Sequence, residues 1–278
     1  DLVIGNSDGP DLVYLGTGDP GNPTWGDDPG DDPLEIPGTD GVATKSIEVD
    51  DIDGDGDMDV VIAAEKDGYA DVVVIFNDGT DPNNLPSDKK TVGLPTDDEM
   101  APQDVEMVDV DGDDIPDVVI GNVGGPDYVY LSNGKELTAE DLEGPPDAQI
   151  GNEELSTRDI DVKDINGDGV ADFVIATSDG SNKVIYGAKD GNDKDSLPKL
   201  PPADVGGPGS SQTVDVYDVD GDGDMDTVFG NTDQTASTYY KDGSGKFIEA
   251  PNLSDPVDTA YEPEPPVTTA AGTLTSDG

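Results

Sequence analysis

Four segments of the chain alternate apolar and polar residues with a period of two: "KSIEVDDI" (45–52), "QDVEMVDV" (103–110), "RDIDVKDI" (158–165) and "QTVDVYDV" (212–219). This period predicts strands with two unlike faces. After a short acidic stretch, each leads into a run that is mostly apolar, as in "DVVIAAE" (59–65) and "DFVIAT" (172–177). Such Val- and Ile-rich runs, bounded by Gly, Asp and Asn, predict strands covered on both faces. A turn then leads to a third strand: "DLVYLG" (11–16), "DVVVIF" (71–76), "DYVYLS" (127–132), "NKVIYG" (182–187) and "STYYKD" (237–242). A looser, Pro-rich fourth segment returns to the next alternating strand. No segment carries a helical period, and 23 Pro and 36 Gly punctuate the chain too often for long helices.

The pattern is one unit repeated. Asp59, Asp117, Asp172 and Asp226 each close an acidic stretch at the start of an apolar strand, and Asp1 aligns with them, at intervals of 58, 58, 55 and 54 residues. Units therefore begin near residues 1, 45, 103, 157 and 211, and the first lacks its front. Four strands per unit predict an all-β fold, a β-propeller of about five four-stranded blades over residues 1–254. A row of β-sandwiches would need about 80–100 residues per domain. Residues 255–278, "DPVDTAYEPEPPVTTAAGTLTSDG", read as an extended Pro- and Thr-rich tail.

Charge narrows the partners. The chain has 278 residues, with 65 acidic and 13 basic side chains and a net charge of −52. No basic patch exists to meet a nucleic-acid backbone or an anionic membrane surface. The recurring apolar strands argue against the disorder that such acidity otherwise suggests. With no Cys and no His, disulfides, thiolate sites and His-based triads are excluded. No run is long and apolar enough for a transmembrane helix. Asp1 in place of an initiator Met reads as a processed or trimmed end.

The acidic stretches carry the candidate chemistry. In "DIDGDGDMD", Asp51, Asp53, Asp55 and Asp59 occupy positions 1, 3, 5 and 9, with Gly56 at position 6, where the chain must turn sharply. Carboxylates two apart in a coiled loop converge, and a hard divalent cation wanting six to eight oxygens suits them, calcium first. The other loops offer Asp109, Asp111, Asp113 and Asp117; Asp164, Asn166, Asp168 and Asp172; and Asp218, Asp220, Asp222 and Asp226. Position 7 would add a backbone carbonyl from Asp57, Ile115, Val170 or Asp224. About four structural ions are expected, one between the first and second strands of each complete blade. They would move the net charge only from −52 to −44, so the remaining acidity is a separate property. Position 12 is Ile62, Ile120, Ile175 or Phe229 rather than the Glu of an EF-hand. The second loop has Asp114 at position 6, a residue that tolerates left-handed backbone, so a weaker site is expected there. The competing reading is four solvated acidic turns; the shared phase relative to the following strand favours calcium.

The motif "DxDGDGxxD" followed by "DhVhGN", where h is apolar, resembles the FG-GAP/VCBS repeats of integrin α-chain propellers, certain fungal and bacterial lectins and many secreted bacterial proteins. The resemblance covers nearly all of residues 1–250. It implies a β-propeller with calcium in the loop joining the first and second strands of a blade. The family's Phe-Gly and Gly-Ala-Pro signatures are met only approximately, at "VGGPD" (123–127) and "DGSGKF" (242–247). The family usually forms seven blades; five units imply a five-bladed ring or a piece of something larger.

Three function classes follow. An enzyme is disfavoured, because the carboxylates are taken up by the loops and little other acid–base machinery exists. A glycan-binding module is the alternative, with Trp25, in the long loop "GDPGNPTWGDDPGDDP" (18–33), as the stacking candidate. The preferred expectation is a secreted, extracellular structural or adhesive protein, its partners calcium and either other copies of itself or an extracellular protein or glycan. The tail would complete the first blade in cis, complete it in another copy and build a head-to-tail filament, or serve as a linker.

Overall fold

The structure, a computed structural model, describes residues 2–14, 33–66, 69–77, 89–92, 101–132, 137–138, 141–142, 144–187, 202–207, 209–232, 236–241 and 245–250. Trp25 and the tail 255–278 lie outside the described residues. Among the described residues the chain is all-β, apart from a helical turn at Asp141 and Leu142. Five antiparallel sheets follow one another along the chain. The first has three strands, β1 (Leu2–Ile4), β2 (Leu12–Tyr14) and β3 (Leu34–Glu35). The second holds β4 (Ala43–Asp50), β5 (Asp59–Lys66), β6 (Tyr69–Ile75) and β7 (Lys89–Val92), and the third β8 (Ala101–Val108), β9 (Asp117–Val123), β10 (Gly125–Tyr130) and β11 (Ala148–Leu155). The fourth holds β12 (Thr157–Lys163), β13 (Asp172–Thr177), β14 (Asn182–Ile185) and β15 (Ala203–Val205). The fifth holds β16 (Ser211–Tyr217), β17 (Asp226–Asn231), β18 (Ser237–Lys241) and β19 (Phe247–Glu249). Each sheet is a meander with its strands in chain order.

The apolar second strands are explained by what covers them. Successive side chains of a strand point to opposite faces. In β5, Val60, Ile62 and Ala64 pack with Val13 and Ile36 of the first sheet region, whereas Val61 and Ala63 pack with Val105, Val118 and Ile120 of the third sheet. In β13, Phe173 and Ile175 meet Val119, Val129 and Ile150, while Val174 and Ala176 meet Val214, Val216 and Phe229 of the fifth sheet. Each sheet is thus stacked face to face on its neighbours, and both parities of its second strand must be apolar. Burying each Val or Ile contributes about 1.5–3 kcal/mol.

The first strands behave differently. β4 abuts β8, β8 abuts β12 and β12 abuts β16, edge strand to edge strand. An edge leaves backbone N–H groups without a ladder partner. Here carboxylates of the preceding sheet accept them: Ile160 N donates to Asp104 Oδ2 (2.8 Å), Val214 N to Asp159 Oδ2 (2.6 Å) and Val216 N to Asp161 Oδ2 (2.6 Å). The polar face of the alternating pattern is therefore a set of joints between sheets. A register shift recurs in all four first-to-second strand pairs, at Thr44/Ser46, Pro102/Asp104, Thr157/Asp159 and Ser211/Thr213. This bulge re-aims the strand just before its joint residues.

A second joint ties the third strand of one sheet to the first strand of the next. Asp127 is fully buried; it accepts from Asn122 N (2.7 Å) and from Thr157 Oγ1 (2.9 Å) of the following sheet. Asp11 accepts from Asn6 N and Thr44 Oγ1 in the same way, and Asn182 donates to Ser211 Oγ (3.0 Å). Beside this joint, a Cβ on Gly121 would lie 2.8 Å from Thr157 Cγ2 and 3.1 Å from Ile160 Cδ1. Thr157 cannot swing away without breaking its bond to Asp127. Gly121→Ala is expected to cost about 1–3 kcal/mol in urea unfolding; an unchanged midpoint would show that the sheets do not meet this closely.

Candidate metal centres

The four acidic stretches all lie in the loop between the first and second strands of a four-stranded sheet. Their last residues, Asp59, Asp117, Asp172 and Asp226, are fully buried at the start of the second strand. Each is fixed by backbone donors on both of its oxygens. One oxygen accepts from position 2 of its own loop: Ile52 N (3.1 Å), Val110 N (2.8 Å), Ile165 N (3.0 Å) and Val219 N (3.0 Å). The other accepts from a residue that ends the third strand or lies two past it: Asn77 N (2.7 Å), Ser132 N (2.7 Å), Gly187 N (2.8 Å) and Lys241 N (2.9 Å). The loop is thereby pinned across three strands.

Position 1 organises the coil. In the second loop Asp109 accepts from Gly112 N (2.7 Å), Asp113 N (3.1 Å) and Asp114 N (2.8 Å). Asp164 and Asp218 repeat this with Gly167, Asp168 and Gly169, and with Gly221, Asp222 and Gly223. Turning three N–H groups onto one carboxylate takes the backbone through left-handed conformations twice, at positions 4 and 6. Gly112 has φ 83° and Asp114 φ 67°, the latter the left-handed aspartate that the sequence led us to expect.

Positions 1, 3 and 9 converge. One carboxylate oxygen from each of Asp51, Asp53 and Asp59 lies within 4.8 Å of the others, and the same holds for Asp109, Asp111 and Asp117, and for Asp218, Asp220 and Asp226. Position 5 is not part of these groups. Its carboxylate or its neighbour's is turned back on the loop: Asp55, Asp113, Asp168 and Asp222 accept from the N–H of Asp57, Ile115, Val170 and Asp224. In the third loop Asn166 stands at position 3, and its Nδ2 lies 3.4 Å from Asp172 Oδ1.

The electrostatics fit a cation. Asp51 Oδ1 and Asp111 Oδ1 are buried with no hydrogen-bond donor. Burial, then the charges of Asp117, Asp113 and Asp109, push the Asp111 carboxyl up to about 6. Burial also raises Asp59 and Asp172 to about 6 against the pull of their backbone donors. Like charges gathered in a partly dry site are costly unless a counter-charge joins them. The residues present can hold a hard divalent ion.

The position-4 glycines and the backbone donors after the third strand were not singled out in the sequence. The only available signal for the donors was spacing: Ser132, Gly187 and Lys241 each follow their aspartate by 15 residues.

A model described as FG-GAP-like repeat matches residues 109–175 and 164–229. The chain carries FG-GAP-like repeats. Both matches begin on the first aspartate of one acidic loop and end within the strand opened by the last aspartate of the next. No curated protein matches the sequence. Among solved structures, the chain is similar to BBS1N in its complex with ARL6DN, from a crystal soaked with lead, at 15% identity and a TM-score of 0.43; the likeness covers 74% of this chain and 55% of that one. It is also similar to the V. cholerae biofilm matrix protein Bap1, at 16% identity and a TM-score of 0.44, over 92% of this chain and 38% of that one. The chain thus spans little more than half the length of one and well under half of the other.

Proposed function

We propose that this FG-GAP-repeat chain is a calcium-stabilised β-propeller serving outside the cell as a structural or adhesive protein. The supporting observation is the recurrence of one carboxylate trio, at positions 1, 3 and 9, at the same place in three of the four four-stranded sheets. Asp51, Asp53 and Asp59 would hold one ion, Asp109, Asp111 and Asp117 a second, and Asp218, Asp220 and Asp226 a third. Asp164, Asn166 and Asp172 would hold a fourth, more weakly for want of one charge. Position 5 and the position-7 carbonyl would complete each shell. Calcium here supplies charge neutralisation and rigidity, not chemistry on a substrate.

Head-to-tail assembly is part of the same reading. Among the described residues β1 is an edge of its sheet, with Leu2 and Ile4 exposed by 42% and 36%. The tail, residues 255–278, of another copy would add a strand at that edge and repeat the contact from copy to copy. Electron microscopy of the chain with calcium, with chelator, and of a chain ending at Ser254 tests this. Filaments that need both calcium and the tail are expected. Compact single particles in every calcium sample would overturn assembly and turn attention to a glycan array, where the cleft of about 330 Å³ between the second and third acidic loops is the place to look for a sugar.

A further inference from the structure

The third acidic loop, "DINGDGVAD", departs from its siblings at one residue. Asn166 stands where the others carry Asp53, Asp111 and Asp220, and Gly167 follows it. The backbone nitrogen after an asparagine can reach the side-chain amide carbon to close a five-membered ring, and a glycine there leaves the approach uncrowded. Gly167 has φ 77°, with open space where a Cβ would stand, and Asn166 is exposed to water.

The loop's own contacts favour the reaction. Asp168 N donates to Asn166 Oδ1 at 2.9 Å. That donor polarises the amide carbonyl and stabilises the oxyanion that forms when its carbon is attacked. Gly167 N donates to Asp164 Oδ1 at 2.7 Å, a bond it must release before it can face the Asn166 side-chain carbon, and that carboxylate is the first acceptor for the proton the nitrogen loses. Among the described residues, the departing nitrogen, Nδ2, is held only by the 3.4 Å contact to Asp172 Oδ1.

We propose that Asn166 is a self-modification site, and that its deamidation gives the third loop the position-3 carboxylate that the other three carry. Gly167 N bonds to Asn166 Cγ and loses its proton, by way of the Asp164 carboxylate, to solvent. The Cγ–Nδ2 bond breaks, and the nitrogen takes up a proton and leaves as ammonia. One water then opens the imide. Cleavage between Cγ and Gly167 N leaves aspartate, while cleavage at the main-chain carbonyl leaves isoaspartate. One water enters, one ammonia leaves and nothing is oxidised or reduced. The aspartate product carries the consequence: the loop gains a charge in register with Asp164 and Asp172. Isoaspartate would add a methylene to the backbone and displace the carboxylate.

The gain in cation binding rests on the calcium reading; the covalent change does not. The full chain is kept folded in calcium at mildly alkaline pH for weeks, and the tryptic peptide 164–183 is sequenced by mass spectrometry beside an Asn166→Gln control. A gain of about one dalton at residue 166, with aspartate among the products, is expected in the native chain only. Calorimetry should show the Asn166→Asp variant binding calcium at one site on the order of tenfold more tightly than the fresh protein. An intact Asn166, or isoaspartate alone, overturns the modification. A modified residue in a protein that binds no calcium would overturn the cation reading instead, and equal affinities in a protein that does bind would overturn the proposed gain.

Discussion

Stripping divalent cations at neutral pH will lower the melting temperature by about 20 °C or more. An ion that binds only the native state stabilises it by about 2.7 kcal/mol when present at a hundred times its dissociation constant. Three or four such sites give on the order of 10 kcal/mol. For a domain of this size each kcal/mol moves the midpoint by about 2–4 °C. The loops add a reason for the fold to suffer when bare. Asp51 Oδ1 and Asp111 Oδ1 have no donor, and each trio gathers its charges within 4.8 Å. The bare fold should still exist, because the aspartates also accept the loop N–H groups and pin the strands. Calorimetry in calcium and in excess chelator measures the difference. An Asp53→Asn chain should lose part of it, since Asp53 belongs to a trio yet does not pin strands as Asp59 does. A melt indifferent to chelator would leave the loops as acidic turns and remove the metal reading.

The repeat and the placing of the loops were legible in the sequence because both arise from local pattern. A strand covered on both faces has to be apolar at both parities, so "DVVIA" and "DFVIA" announce their stacking. The five copies made the phase of each aspartate visible. What the sequence hid depends on contacts between units. Asp104, Asp159 and Asp161 look like the solvated face of an alternating strand; only the neighbouring edge shows that they are acceptors for its N–H groups. The bulge after Thr44 and Thr157 leaves no mark in the alternation. Asp127 resembles any turn aspartate until Thr157, thirty residues on, is seen to donate to it. In the loops, spacing could not show that carboxylate oxygens at positions 1, 3 and 9 already lie within 4.8 Å of one another in three of them.

Carboxylates buried along the joints between sheets give the second large effect, and calcium changes the sign of the loops' share alone. Without calcium, stability will fall by several kcal/mol as the pH rises from about 4 to about 8. Glu106 is pushed up to about 8 by burial first, then by the carboxylates of Asp104, Glu48, Asp161 and Asp159. Asp127 is also raised to about 8, by burial that outweighs its bonds from Asn122 and Thr157. Asp104 moves upward for the same reasons, with Asp159 as its charged neighbour. In the unfolded chain these carboxyls ionise near 4. Between that pH and the folded value the native state holds more protons, so its advantage is complete below the unfolded value and is lost as the pH climbs through the folded one. The loop residues Asp59, Asp111 and Asp172, at about 6, add to the loss in the bare protein. Calcium reverses their part, since a bound cation favours the ionised form, and the loaded protein should gain from those carboxylates over the same range. Glu106→Gln separates the two contributions. It cannot ionise, so it should flatten the calcium-free profile and raise the melting temperature at the alkaline end while leaving the calcium increment intact. A Glu106→Gln chain whose calcium-free melt kept the full slope would show that the first-strand carboxylates are ionised and solvated, and that the sheets meet there through water.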